Sequence, residues 1–182
     1  MIARRLRVSA LSMGASKGWL TVGGLRLPCA LGRSGRIALK REGDWATPIG
    51  KLVVVRGYYR SDRLRRPLTA IPLTPIRGDD GWCDAVGDRN YNRHVTHPYP
   101  ASAEHMWRDD HLYDLVIVFD HNARPRVQGG GSAIFMHMAR PGYTPTAGCI
   151  ALKRRHLVRL VASLRPGTTV LVEPFPRRPQ PA

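Results

Sequence analysis

The sequence predicts a mainly β domain with one prominent helix close to its C-terminal end, and three observations carry that expectation. Short apolar and β-branched runs recur through the first half and are cut by Gly and Pro clusters, the rhythm of strands joined by tight turns. Leu115-Val-Ile-Val-Phe is a continuous apolar run of strand length. Leu157, Leu160, Val161 and Leu164 recur at helical spacing until Arg165-Pro166-Gly167 stops them.

Taken in order, strands are expected at residues 19–22, 26–30, 37–40 and 52–58, with turns at 23–24, 32–35 and 48–50. From 67 to 113 the pattern loosens into a segment rich in Pro, Asp, His and aromatics, with at most a short helix near 101–108. Irregular segments of this length inside a domain are often functional. The 115–119 strand ends in the turn Asp120-His-Asn-Ala-Arg-Pro. Gly129-Gly-Gly, which lacks the Lys-Ser/Thr and helix of a phosphate cradle, reads as a turn into a buried strand at 133–137. The helix follows, then a β-branched strand at 168–173. Residues 1–173 are expected to form one domain, and 174–182 a Pro/Arg-rich tail.

An apolar share of 43% in 182 residues allows one substantial core. No run approaches the roughly eighteen apolar residues that span a bilayer. The start, Met1-Ile-Ala-Arg-Arg-Leu-Arg, is basic, but no clean apolar stretch follows it before Leu20, so no clear signal peptide is read. Cys29, Cys83 and Cys149 show no CxxC spacing, which leaves one disulfide plus a free thiol open. The formal charge of +16, with all but four of the 29 basic residues arginine, should attract polyanions. No zinc-finger, basic-zipper or RNP-type pattern accompanies it, so no specific nucleic-acid partner is expected. His94, His97, His105, His111 and His121 invite a metal reading, but HxxH is the wrong spacing for two ligands on one helix face. No metal and no cofactor are expected.

The chemistry concentrates in Ile134-Phe-Met-His137-Met-Ala-Arg-Pro-Gly-Tyr143-Thr-Pro-Thr146-Ala-Gly148-Cys149-Ile-Ala-Leu. A strand delivers a histidine, a Pro/Gly loop turns the chain, and a Gly-Cys pair follows. A thiol nucleophile needs an imidazole to take its proton, and a neighbouring glycine lets backbone approach a substrate. Cysteine is also among the most buried residue types, and a histidine at a strand end is commonly just hydrogen-bonded, so spacing alone favours a structural reading over a catalytic one.

These residues resemble the YkuD-type L,D-transpeptidases, whose signature is a His, a loop, then Ser/Thr-x-Gly-Cys and an apolar residue. His137 and Thr146-Ala147-Gly148-Cys149-Ile150 match it, and Gly43-Asp-Trp-Ala-Thr47-Pro48-Ile-Gly50 resembles the family's upstream Thr-Pro-x-Gly turn. The resemblance runs from about 35 to 172. It implies a β-sandwich or partly closed barrel with the helix after the cysteine, acting on peptidoglycan stem peptides in the periplasm or cell envelope. It also implies Cys149 as nucleophile, His137 as base oriented by the Met138 backbone carbonyl, and backbone N–H groups at Gly148 and Cys149 for the oxyanion. Carbapenem-type inhibitors should acylate the same sulfur. Tyr143 and Thr146 are candidates for lining the pocket, and Arg140, Asn92 and Arg93 for holding stem carboxylates, which a guanidinium fork suits.

Two departures bear on specificity: Ala147 stands where many members have His, and Ala151 where many have a polar residue. With the short His-to-Cys loop, Tyr91-Asn-Arg and the 104–113 segment, they resemble a compact proteobacterial subgroup. That favours a link from L-alanine at stem position one to diaminopimelate over the diaminopimelate-to-diaminopimelate link. The rival readings are a cysteine peptidase that hydrolyses stems and a non-catalytic basic module that docks on the wall.

Overall fold

The computed structural model describes residues 5–174. The expected tail falls outside them apart from Pro174. The chain opens with a charged but alternating strand, β1 (Arg5–Ala10), whose Leu6 and Val8 are fully buried. A hairpin of β2 (Lys17–Val22) and β3 (Leu25–Ala30) follows, turning at Gly23-Gly24. Two short strands, β4 (Arg36–Ile37) and β5 (Thr47–Pro48), pair with each other in parallel. The long β6 (Gly50–Tyr59) leads to β7 (Leu73–Pro75). The central segment contributes β8 (Asp80–Cys83), β9 (Arg93–Thr96) and β10 (Ala103–His105). Last come β11 (Leu115–Phe119), β12 (Phe135–Met138), β13 (Ile150–Leu152), the helix α1 (Arg154–Val161) and β14 (Thr169–Val172).

Nine strands form one sheet in the order β11-β12-β13-β3-β2-β1-β14-β6-β7, and β6 also pairs with β11. That extra pairing closes eight of them into a barrel, which removes the free edges that an open sheet would expose. Period-two alternation then sorts the side chains. Leu115, Ile117 and Phe119 of β11 and Met136 and Met138 of β12 point into the main core, which α1 joins through Leu157, Leu160 and Val161. The other faces of the same strands carry Val116, Val118 and Phe135 into a second cluster, covered by Trp82, Met106 and Tyr113 from the central segment. A strand buried on both faces reads as an unbroken apolar run, which is why 115–119 stood out in the sequence.

The central segment differs from expectation. It is a three-stranded antiparallel sheet, order β10-β8-β9, and the helix expected near 101–108 is replaced by β10, which pairs Ala103 with Cys83 and Glu104 with Trp82. Ala103, Met106 and Trp107 give only one turn of helical apolar spacing, too short to sustain a helix, so the available β8 edge decides. The strand expected at 37–40 stops at Ile37, after which the chain turns toward the cleft described below. A strand, β13, also separates Cys149 from the helix.

Two sequence blocks far apart in the chain meet through residues 31–33. Thr47 Oγ1 accepts from the Gly32 N–H at 2.8 Å, while the Arg33 N–H donates to Thr146 O at 2.9 Å and the Thr146 N–H to Leu31 O at 2.9 Å. The Thr-Pro turn and the Gly-Cys corner are thereby tied to one strand end. Thr47 is fully buried, so Thr47→Val keeps its shape and strands the Gly32 donor. The expected cost is about 1–3 kcal/mol of stability, measured by urea denaturation.

Candidate active site

Strands β12 and β13 run parallel, with Met136 opposite Ile150 and His137 opposite Ala151. Residues paired across parallel strands project to the same side, so Phe135, His137, Cys149 and Ala151 share the outer face of the barrel wall. His137, Cys149 and Ala151 line a cleft of about 500 Å³ whose other walls include Lys40, Glu42, Trp45, Asp84, Glu104 and Arg108. Ala151 takes up little of the space beside the imidazole.

The thiol is buried and fully engaged. Cys149, 7% exposed, donates from Sγ to Ala133 O at 3.1 Å and accepts from the Phe135 N–H at 3.3 Å. Burial pushes its pKa up to about 12, only partly offset by the Phe135 N–H. His137, 5% exposed, has Nδ1 at 2.8 Å from Met138 O. A carbonyl only accepts, so Nδ1 carries the proton and Nε2 holds the free lone pair. Burial lowers the imidazole pKa to about 4, with the Met138 carbonyl pulling the other way. The resting pair is therefore neutral thiol and neutral imidazole. Desolvation outweighs every nearby donor and charge.

A layer of side chains fixes the imidazole. The Tyr113 ring meets it edge-on at 5.4 Å, and the Tyr113 hydroxyl donates to Glu104 Oε1 at 2.6 Å. Arg108 stands over the Tyr113 ring at 5.1 Å and grips Asp110 through Nε at 3.0 Å and Nη2 at 2.7 Å. Arg140, on the cleft wall, adds a 3.0 Å bond to the same carboxylate, which these guanidiniums hold well below the usual aspartate range. Within this layer burial raises the Glu104 carboxyl, and Asp84 Oδ1, also on the cleft wall, is buried without a hydrogen-bond partner.

The Gly-Cys corner is held by Thr146, whose Oγ1 donates to Cys149 O at 2.6 Å and accepts from the Gly148 N–H at 3.1 Å. Gly148 has φ +139°, and a Cβ there would meet Ala46 O at 2.9 Å, so glycine is required. Its N–H, expected at the oxyanion, is taken by Thr146, so it would have to change partners to serve there.

Of the residues expected at the site, Cys149, His137, Arg140 and Thr146 meet at the cleft. Tyr143, Asn92 and Arg93 are not among its lining residues. Tyr143 sits in a 3-10 turn (Pro141–Tyr143) with its hydroxyl buried and unpartnered and Lys153 over its ring. Arg93 is exposed on β9. Asn92 works inside the protein: its Oδ1 accepts from Trp82 Nε1 and from the Ala133 N–H, and its Nδ2 donates to His121 O and Asn122 O. It thus holds Ala133, whose carbonyl receives the thiol. Lys40, Glu104 and Tyr113 were missed individually, although the 104–113 segment had been singled out.

All three cysteines are free thiols. The histidines are engaged elsewhere: His94 with Asp80 at 2.8 Å, His111 with Asp114 at 3.0 Å, and His97 stacked on His105. Among the described residues no group of three or more His, Cys, Asp or Glu could hold a metal ion, and no helix is long and apolar enough to cross a membrane.

The family model for YkuD, the L,D-transpeptidase catalytic domain, matches residues 17–172. No curated protein matches the chain.

Proposed function

The chain belongs to the L,D-transpeptidase catalytic-domain family, and from that premise we propose that it cross-links peptidoglycan stem peptides in the cell envelope with Cys149 as nucleophile and His137 as base. The observation that carries this reading is the placement of both side chains on one face of adjacent parallel strands, opening into one cleft, with Nδ1 of the imidazole locked on Met138 O. The free Nε2 is then the atom that can accept the thiol proton.

In this mechanism the substrate displaces the Ala133 carbonyl as partner of the thiol, and Nε2 of His137 takes its proton as Sγ attacks the carbonyl carbon of an L,D bond. The tetrahedral adduct collapses, the C–N bond breaks, and the imidazolium returns the proton to the leaving amine. That leaves a thioester on Cys149. An acceptor amine attacks the thioester, gives its proton to His137, and releases the amide product as the thiol is reprotonated. Backbone N–H groups at the Gly148–Cys149 corner are the candidate donors for the oxyanion, each worth about 3–4 kcal/mol in comparable acyl-transfer sites, and that of Gly148 serves only after it leaves Thr146 Oγ1. Transfer is favoured over hydrolysis because the unpartnered Asp84 Oδ1 and the Glu104 carboxyl give the cleft wall acceptors that can hold the N–H groups of an incoming amine.

Both Ala147 and Ala151 line the cleft without bulk, as does Pro145 from the stiff loop. They support attack at L-alanine in position one, joined to a diaminopimelate amine, over the conventional attack at position three. Incubation with purified disaccharide-tetrapeptide separates the two by mass spectrometry. The expected product is a released peptide beginning at D-glutamate together with a dimer. Free D-alanine with a diaminopimelate-to-diaminopimelate dimer would overturn the position-one link, and stems shortened without any dimer would replace transfer by hydrolysis.

A further inference from the structure

Lys40 is built into the cleft. Its side chain is 5% exposed, unusual for a lysine, and lies on the wall that also holds Cys149. It reaches that position across two glycines: a Cβ on Gly131 would meet Lys40 Cγ at 2.8 Å, and one on Gly148 would stand 3.6 Å from Lys40 Cε. The ammonium donates to Arg41 O at 2.8 Å and to Asp44 Oδ1. Asp44 is itself fixed by the Arg41 N–H at 2.7 Å and the Ala46 N–H at 2.9 Å. A lysine ammonium has three N–H donors, and these two partners leave one over.

The site calls for such a charge. Transfer requires negative charge on the sulfur and then on the substrate oxygen, inside a cleft that disfavours it. The imidazole and the thiol make no hydrogen bond with each other among the described residues, and the Gly148 N–H is occupied by Thr146. The charged and titratable groups around the sulfur are His137, Tyr113, Glu104 and Lys40, and those around Lys40 are Asp44 and His121. Glu104 opposes a thiolate, and Lys40 favours it.

We propose that Lys40 supplies the positive charge of the site: threaded over Gly131 and Gly148 and anchored by Asp44, it stabilises the anion that forms at Cys149, first the thiolate and then the oxyanion of the tetrahedral adduct. The proposal rests on the reading of Cys149 as nucleophile and assigns the cation that reading needs. Neutralising the ammonium while keeping its length, as in Lys40→Met, therefore weakens the thiolate. Neutralising its counter-ion, as in Asp44→Asn, strengthens the thiolate, because the lysine charge is then less compensated. A scaffold role for the pair would move both variants in the same direction.

The test is the pH profile of Cys149 alkylation by iodoacetamide in the full chain, mapped by peptide mass, for wild type, Lys40→Met and Asp44→Asn. The expected result is alkylation slowed roughly threefold to tenfold in Lys40→Met, its profile moved to higher pH, with Asp44→Asn moved the opposite way. A wild-type profile in folded Lys40→Met, or slowing in Asp44→Asn, overturns the proposal, and Asp44→Asn decides alone if Lys40→Met does not fold. Alkylation needs no stem peptide, so opposite shifts in a protein that makes no cross-links would keep this role for Lys40 and remove the transferase reading.

Discussion

Replacing Cys149 with alanine is expected to lower cross-link formation by at least about four orders of magnitude, since a covalent mechanism cannot proceed without its nucleophile. The protein should stay folded. The change removes one sulfur from a buried position and two weak sulfur hydrogen bonds, to Ala133 O and from the Phe135 N–H. That costs about 1–3 kcal/mol, within a typical domain stability of about 5–15 kcal/mol. Carbapenem labelling checks the same point without a natural substrate. The wild type should gain the mass of one ring-opened inhibitor, and Cys149→Ala should gain none. Cys29 and Cys83 are buried and are not among the residues that line the cleft, so neither offers a competing nucleophile.

The second large effect concerns His137. His137→Gln removes the free Nε2 lone pair and should reduce turnover by about a thousandfold or more, the scale of a lost general base combined with a thiol that then stays protonated. Acidity adds a signature of its own. His137 is neutral when folded down to about 4, whereas its ordinary value is 6.5. Between those values the unfolded chain binds a proton at this position that the folded protein refuses. Stability is therefore full above pH 6.5, falls as the pH drops, and levels off below about 4, with a total loss of about 3 kcal/mol from this residue. Denaturation measured at several pH values should show that loss in the wild type and a smaller one in His137→Gln. The same depressed value keeps Nε2 unprotonated at mildly acidic pH, so the acid limb of kcat/KM should lie well below the range of an ordinary histidine.

Much of the frame was legible in the sequence because burial on one face leaves a period. The hairpin of β2 and β3, the doubly buried β11 and the stripe on α1 all declared themselves in this way. β1 did not, because its Arg5-Leu-Arg-Val alternation was read for its charge rather than its period. The sheet of β8, β9 and β10 was also hidden. Its strands are three or four residues long, and their partners lie across turns that leave no repeating pattern. At the site, His137 and Cys149 could be found together because they are close in sequence and sit on neighbouring strands. Lys40, Glu104 and Tyr113 arrive from distant segments through packing, which no local spacing reports. Asn92 was noticed for the wrong reason: its amide serves four internal partners, and what marks it is φ +55°, a conformation asparagine tolerates better than most residues.

The proposed mechanism requires a thioester at one sulfur. Full-length protein mixed with disaccharide-tetrapeptide, quenched in acid within the first turnovers and read by intact mass and peptide mapping, tests it directly. The expected result is an acyl adduct on the peptide containing Cys149, discharged by added amine and absent from Cys149→Ala. An adduct on another residue, or cross-linked product formed at the wild-type rate by Cys149→Ala, would contradict it.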